Sequence, residues 1–366
     1  MAQDLAARPD NGHSYYNFFR ALQPVIDETV PEASVLLTRE ALQERVLQLQ
    51  QTFQSDMHRM ADVSELLFGR ETAAYGERCS AVFGRWEAEG GGPTLTAMVM
   101  QAIQHFDLDA DAASVRAALI AAMLAEIPND LQYHGNEHYR KVLFHTIRLI
   151  AAHNQESTAD MLLGKDEIAM LLAAACIHDL GHEGGDNARE GVYTPGMMEQ
   201  HAFDLARPYL QATELPAEAI GQIETLVFCT DITFFAGDNS PCVRMKKIYK
   251  HLFWDDRSED VSIMMMGKLR RYEDHPKLVL MAMFLHEADV GTSAGLSYDR
   301  TATETVAFLA ERGIMQAGPK TVLAFLRDQL GETMFTDAGK RLFGPVMAQV
   351  IEQAEQDILA GRESFY

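Results

Sequence analysis

The sequence has little of what marks several functional classes. Its four cysteines, Cys79, Cys176, Cys229 and Cys242, are scattered and form no C-x-x-C pair. They fit reduced thiols in a reducing compartment. Cys176 lies inside an apolar run and reads as a small core residue rather than a ligand. No uninterrupted apolar run is long enough to cross a bilayer, so no membrane partner is expected. The first residues, MAQDLAARPDNGHSYY, lack an apolar signal segment, which makes the cytoplasm the default expectation. Positive charge is scarce: 31 Lys and Arg stand against 53 Asp and Glu, a net charge of −22. Such a surface repels a phosphate backbone and argues against nucleic acid as a partner. A small anionic substrate is compatible with it where bound cations reverse the local potential. Period-two runs of Val and Ile are scarce, and there is no internal repeat or low-complexity tract.

What remains is helical. The chain has 366 residues, enough for a large core, and its 47% apolar and 23% charged composition is that of a globular protein. Residues 38–68 read as a helix opening at Thr38, with an apolar stripe through Leu42, Val46, Leu49, Phe53, Met57, Met60, Val63 and Leu67. That stripe packs either on the chain's own main body or on a second copy, as a homodimerisation helix. An aromatic cluster, Tyr15, Tyr16, Phe18 and Phe19, is expected to dock on this chain or a partner. Gly90-Gly91-Gly92-Pro93 is the strongest breaker and the candidate boundary between an N-terminal helical region, 1–92, and the remainder, 93–366. Beyond it the periodicity predicts helices at 95–105, 112–127, 137–153, 166–178, 196–211, 216–230, 259–272, 276–289, 299–312, 319–330 and 338–360. The expected fold is all-α, a compact multi-helix bundle.

Several of these helices carry His or carboxylate where core residues are expected. The apolar run Ile168–Ile177 delivers His178-Asp179, with His182, Gly184 and Asn187 just beyond. A buried helix ending in an unpaired His and Asp is costly unless something binds them, and imidazole with carboxylate suits a divalent first-row metal. Upstream, Tyr133-His134-Gly135-Asn136-Glu137-His138 opens another helix, with its two histidines one turn apart. Downstream come Glu199 with His201, Thr230-Asp231, and Leu285-His286-Glu287-Ala288-Asp289 after the apolar run from Leu278. Singly, each could be a satisfied core polar group. Together they suggest one pocket.

The ordered set resembles the HD superfamily of metal-dependent phosphohydrolases, and within it the class I cyclic-nucleotide phosphodiesterase catalytic domain, over roughly residues 95–345. The resemblance implies a compact bundle of that type in 93–366, with 1–92 as a regulatory or dimerisation segment or as extra packing. It implies that His138, His178, Asp179 and Asp289 hold a first metal, Zn²⁺ or else Fe²⁺ or Mn²⁺. Asp179 would bridge to a second, Mg²⁺ or Mn²⁺. The hydroxide between the metals would attack phosphorus, and His134 would protonate the leaving oxygen. His182, Glu199, His201, Thr230 and Asp231 would lie around the metal waters, and Glu304 would orient His134. Tyr133 and Phe325 would meet the substrate, a small phosphoester for which a 3′,5′-cyclic nucleotide is the leading expectation.

The chain departs from the family pattern in places. Gly135 stands where the family has Asn, with Asn136 one place later. Gly181 and Glu183 replace Asp and Pro. Val322 stands where a purine-gripping Gln is expected, and valine cannot make the bidentate amide contact that reads a purine edge. The cyclic nucleotide would then be bound differently, or the substrate would be another phosphoester. Alternatives are an HD-type phosphomonoesterase or nucleotidase, a catalytically silent metal-binding regulator, and an HD-fold di-iron oxygenase.

Overall fold

A computed structural model describes Leu22, Gln23, Ile26 and residues 36–258 and 260–365. The aromatic cluster at Tyr15–Phe19 lies outside the described residues. The fold is all-α. Among the described residues the only sheet is a two-stranded antiparallel hairpin, Ala188–Arg189 with Val192–Tyr193, and no helix is long and apolar enough to cross a membrane.

Two helices form the axis of the bundle. α6 (Lys165–Ile177) is buried on every side from Ile168 through Ile177. It is walled by α3 (Leu95–His105), α4 (Ala113–Ala125), α5 (Asn136–Asn154), α7 (Met197–Ala212), α8 (Ala217–Phe228) and α11 (Pro276–Gly295). A helix apolar all round has no solvent face to offer, so it settles at the centre. α11 is the second axis, buried almost without break from Leu278 to Gly295. Gly291 and Gly295 stand one turn apart on it, where a Cβ would meet the Phe343 ring at 2.9 Å and the Phe343 Cβ at 2.5 Å. The missing side chains let Phe343 press against the helix backbone.

The N-terminal helices α1 (Arg39–Phe68) and α2 (Tyr75–Ala88) share this core. Thr38 caps α1 by accepting from the Ala41 N–H at 3.3 Å. Leu42, Leu49, Met60, Val63 and Leu67 are buried, and α1 packs on α3 and α5. Most of the stripe that could have met a second copy is thus covered within the chain. α2 inserts Tyr75, Phe83 and Trp86. The Tyr75 hydroxyl pairs with His145 Nδ1 at 2.8 Å in the core, and Trp86 packs edge-on to Phe144 of α5.

Most predicted helices are found within two residues of their expected ends. The differences have local causes. The helix expected at 259–272 is mainly turns, with only a 3-10 turn at Gly267–Arg270 and the short α10 at Arg271–Asp274. Gly267 has φ +64°, a left-handed conformation that stops any helix entering from 262–266. α2 and α9 (Pro241–Phe253) were not foreseen. The helix expected at 276–289 continues to Gly295, so Asp289 lies inside α11 and not at its end. The run 319–330 begins as α13 (Pro319–Ala324) and widens into a π turn at Phe325–Gln329. The run 338–360 divides at Phe343 into α14 (Asp337–Leu342) and α15 (Gly344–Leu359), where Pro345 sits at the start of the second.

A chain begun at Thr94 strips Tyr75, Phe83 and Trp86 from the core. It is expected to be insoluble or to lose its cooperative thermal transition by circular dichroism. A soluble fragment with an unchanged melting midpoint would show these helices to be dispensable.

Candidate active site

Three elements deliver the candidate ligands. α6 ends at Ile177, and its C-cap His178 turns the next residue, Asp179, toward α11. His178 Nδ1 lies 2.9 Å from the Ala175 carbonyl, so it carries the proton and leaves Nε2 as a bare acceptor. His138 stands in the first turn of α5, and Asp289 in mid α11.

Their free atoms converge. His138 Nε2 is 3.4 Å from His178 Nε2, 3.4 Å from Asp179 Oδ2 and 3.1 Å from Asp289 Oδ1. His178 Nε2 is 3.2 Å from Asp179 Oδ2 and 3.9 Å from Asp289 Oδ1. Ligands at about 2.0–2.2 Å from one tetrahedral ion stand about 3.3–3.6 Å apart, which the five separations that involve the two histidines bracket; His138, His178 and Asp179 form a group that could hold a metal ion. Burial alone would lower the His138 pKa, but hydrogen bonds to Asp179 and Asp289 carry it up to about 10. Burial likewise opposes a charged His178, and Asp179 chiefly overcomes it, leaving its pKa raised. Asp179 is held well below the usual carboxylate range: burial would raise it, but His178 and His138 outweigh that. Two imidazoles and two carboxylates packed this closely want positive charge between them, as a proton or as a cation. The donor types and spacings fit a divalent metal.

This cluster floors a cavity of about 340 Å³. Tyr133, His134, Asp179, His182, Glu199, Thr230, Asp231, Asp289, Glu304 and Phe325 all reach its wall. His138 and His178 lie buried beneath it. His201 does not reach it. Its exposed side chain borders a neighbouring hollow behind Gly181, because α7 turns that residue outward.

His134 is held by a residue that the sequence reading missed. Glu311, the last residue of α12 (Tyr298–Glu311), accepts from His134 Nδ1 at 2.6 Å, from the His134 backbone N–H at 3.0 Å and from the Tyr133 backbone N–H. Burial would raise the Glu311 pKa, yet these three donors, His134 foremost, hold it below the ordinary value. Glu304, expected in that role, instead pairs with Lys141 at 2.7 Å. The two glutamates are seven residues apart, two turns along one helix face. The resemblance thus named a glutamate on the right helix, two turns from the one that meets His134.

The His182 ring stacks on His134, with centroids 3.9 Å apart and planes at 16°. Burial holds the His182 pKa down to about 4, and its Nδ1 accepts from the Gly184 N–H at 3.0 Å. It is a neutral flat wall beside His134. Asp231 accepts from the Tyr193 hydroxyl at 2.6 Å and from the N–H groups of Gly196 and Thr233 at 2.9 and 3.0 Å. Asn187 donates to Glu199 at 3.0 Å. Burial first, then Asp231, raises the Glu199 pKa well above its ordinary value. The Thr230 hydroxyl caps its own turn by donating to the Val227 carbonyl at 2.8 Å.

Gly135 has a steric reason. A Cβ there would lie 2.4 Å from the Leu131 carbonyl oxygen and 2.9 Å from that of Asn129. Asn136 ties the same loop, accepting from the Asn129 N–H at 2.8 Å and donating to the Ala125 and Ile127 carbonyls at 2.8 and 2.9 Å. At the far end, Val322 is fully buried and does not reach the cavity. Gln329 does, from the π turn that also carries Phe325. Its Oε1 is buried without a hydrogen-bond partner among the described residues. Nothing in the local sequence marks a π turn, so this residue was not legible.

No protein-family model and no curated protein sequence matches the chain. Among solved structures, it is similar to LmjPDEB1, a Leishmania phosphodiesterase, in complex with IBMX. That likeness has 17% identity and a TM-score of 0.47, and covers 81% of this chain and 91% of the other.

A metal held by His138, His178 and the two aspartates would displace a proton from the cluster. With the His138 pKa at about 10, that proton is bound throughout the neutral range. Affinity for Zn²⁺ is therefore expected to rise with pH, by about tenfold per unit for one displaced proton. Chelator competition between pH 6 and pH 9 measures this slope, and a flat profile would contradict the assigned ligands.

Proposed function

We propose that the protein is a metal-dependent hydrolase of a phosphodiester, with a 3′,5′-cyclic nucleotide as the leading substrate and the 5′-nucleotide as product. The observation that carries this reading is one arrangement. Two imidazoles, each 3.1–3.9 Å from both of two carboxylates, floor a cavity whose wall holds a carboxylate-backed histidine. In this reading His138, His178, Asp179 and Asp289 hold the first ion, and Asp179 also reaches a second. Bound divalent metals supply a water of lowered pKa and neutralise phosphoryl oxygens.

The protein's own residues do the rest. Glu311 holds the Nδ1 side of His134 and so aims Nε2 at the cavity, where it serves as the proton donor to the departing alkoxide. Stacked His182 restrains that ring without competing for the proton. Buried Glu199, whose pKa is raised, is a carboxyl that a cation bound nearby would help to ionise. Phe325 and the unpaired carboxamide of Gln329 face the organic part of the substrate. A diester suits this machinery better than a monoester, because its poor alkoxide leaving group gains most from a dedicated acid.

The test measures metal content and turnover of cyclic mononucleotides, linear diesters and nucleoside monophosphates with Mn²⁺ or Mg²⁺. Asp289→Ala is expected to lose metal and activity together. His134→Ala should keep its metal and lose roughly 10²–10⁴-fold in kcat, the usual worth of a general acid. Glu311→Gln should fall by about 10²-fold or more, and Glu304→Gln by much less. Fully metallated wild-type protein inactive on every diester would sink the reading.

Gln329→Ala tests the far wall separately. Loss of one hydrogen bond to bound ligand is expected to raise KM by about tenfold with little change in kcat. An unchanged KM would leave that carboxamide without a role in binding.

A further inference from the structure

The cavity wall holds six carboxylates, Asp179, Asp186, Glu199, Asp231, Asp289 and Glu304, and one cation, Arg312. Arg312 lies just past the end of α12, next to Glu311. Its guanidinium carbon sits 4.2 Å from the centroid of the Phe308 ring. Phe308 in turn packs edge-on to Tyr133 at 5.2 Å and against the His134 ring at 5.9 Å. The cation therefore stands on the side of the cavity that holds the general acid. Neighbouring buried charges are paired: Lys141 with Glu304 and Glu87, and Arg300 with Glu87. Arg312 has no hydrogen bond or ion pair among the described residues. Burial of part of its side chain holds its pKa below the ordinary arginine value, although the Asp186 and Glu311 carboxylates act in the other direction. A cation after a helix C-terminus complements the helix dipole, which accounts for the charge. It does not account for a guanidinium laid on an aromatic face in a cavity wall.

We infer that Arg312 selects phosphodiesters whose leaving alcohol carries a second phosphate group. This rests on the diesterase reading above. The leaving alcohol is the part of the substrate that meets His134, so a group attached to it extends toward Phe308 and Arg312. The guanidinium fork matches a phosphate through two parallel hydrogen bonds, and its aromatic support holds the fork in place. In the reaction the water oxygen bonds to phosphorus and the P–O bond to the leaving alcohol breaks. The electron pair stays on that oxygen, which takes the His134 Nε2 proton. The water's own proton returns to solvent or to His134. For the 5′-phosphorylated dinucleotide pApA, cleavage at the 3′ oxygen consumes one water and yields two molecules of 5′-AMP.

The experiment compares kcat/KM for pApA and for ApA, which lacks the terminal phosphate, using the full chain loaded with Mn²⁺. Wild type is expected to favour pApA by about tenfold or more, the scale of a hydrogen bond to a charged group. Arg312→Gln should bring that ratio to near one. Arg312→Lys, a point charge without the fork, should fall between them. Arg312 is exposed at a helix end, and melting curves will show that both variants fold. A wild-type ratio near one overturns the inference and leaves the diesterase reading standing, as does a preference that survives Arg312→Gln. So does hydrolysis of cyclic mononucleotides with neither dinucleotide cleaved. Inactivity of the metallated protein on all of these diesters overturns both.

Discussion

The structure depends on a crowding of like-minded groups. His138 and His178 each bring a ring nitrogen to within 4 Å of the other and of both Asp179 and Asp289 at the centre of an apolar bundle. Buried polar groups left unpaired cost free energy, and two carboxylates around one pair of imidazoles call for positive charge between them. The surroundings nonetheless hold the four in place. The His178 ring is fixed by the Ala175 carbonyl. The Tyr139 hydroxyl donates to the Asp179 carbonyl at 2.6 Å, and α11 carries Asp289 on a rigid, wholly enclosed helix. A site assembled at such cost is organised for the cation that relieves it.

Charge around that centre is layered. Closest in are acids whose partners are hydrogen-bond donors rather than cations: Asp231 with three donors, and Glu199 with Asn187. Behind His138 lies an ion cluster of Lys141, Glu304, Glu87 and Arg300, which joins α2, α5 and α12. Breaking one member of such a cluster strands the others in a poorly solvated place. α12, which carries Glu311, is thus tied to α5, which carries His138, through a glutamate from the N-terminal helices. The segment before Gly90 contributes to the core and to the rigidity of the catalytic wall.

Backbone irregularities place the remaining functional groups. Gly135 lets the loop before α5 pass against the Leu131 and Asn129 carbonyls, which sets the approach of His134. The widened turn at Phe325–Gln329 carries the Gln329 carboxamide that lines the cavity, whereas Val322, in the regular turn before it, is buried. Gly291 and Gly295 let Phe343 close on α11. Single-turn π bulges of this kind recur at functional sites, because they re-aim one side chain without ending the helix.

The sequence by itself determined the helical class and most element boundaries, and it named the residues that the fold brings around one cavity. Each rests on local information: a 3.6-residue apolar period, a cap at Thr38, and the His178-Asp179 pair at the end of an apolar run, where core residues were otherwise expected. For the partner of His134 the resemblance named Glu304, two turns from Glu311, which meets it. Tertiary structure alone decided which turn of that helix mattered, since Glu304 was taken up by Lys141 and Glu311 was left to His134. It decided that His286 and Glu287 serve packing while Asp289 serves the site: His286 faces the Cys242 thiol and Glu287 caps Phe335 and Thr336. It sent His201 outward and set Gln329 and Arg312 on the cavity wall. These are questions of which neighbour arrives from far along the chain. Periodicity cannot answer them, because it records the face a residue occupies and not what packs against that face.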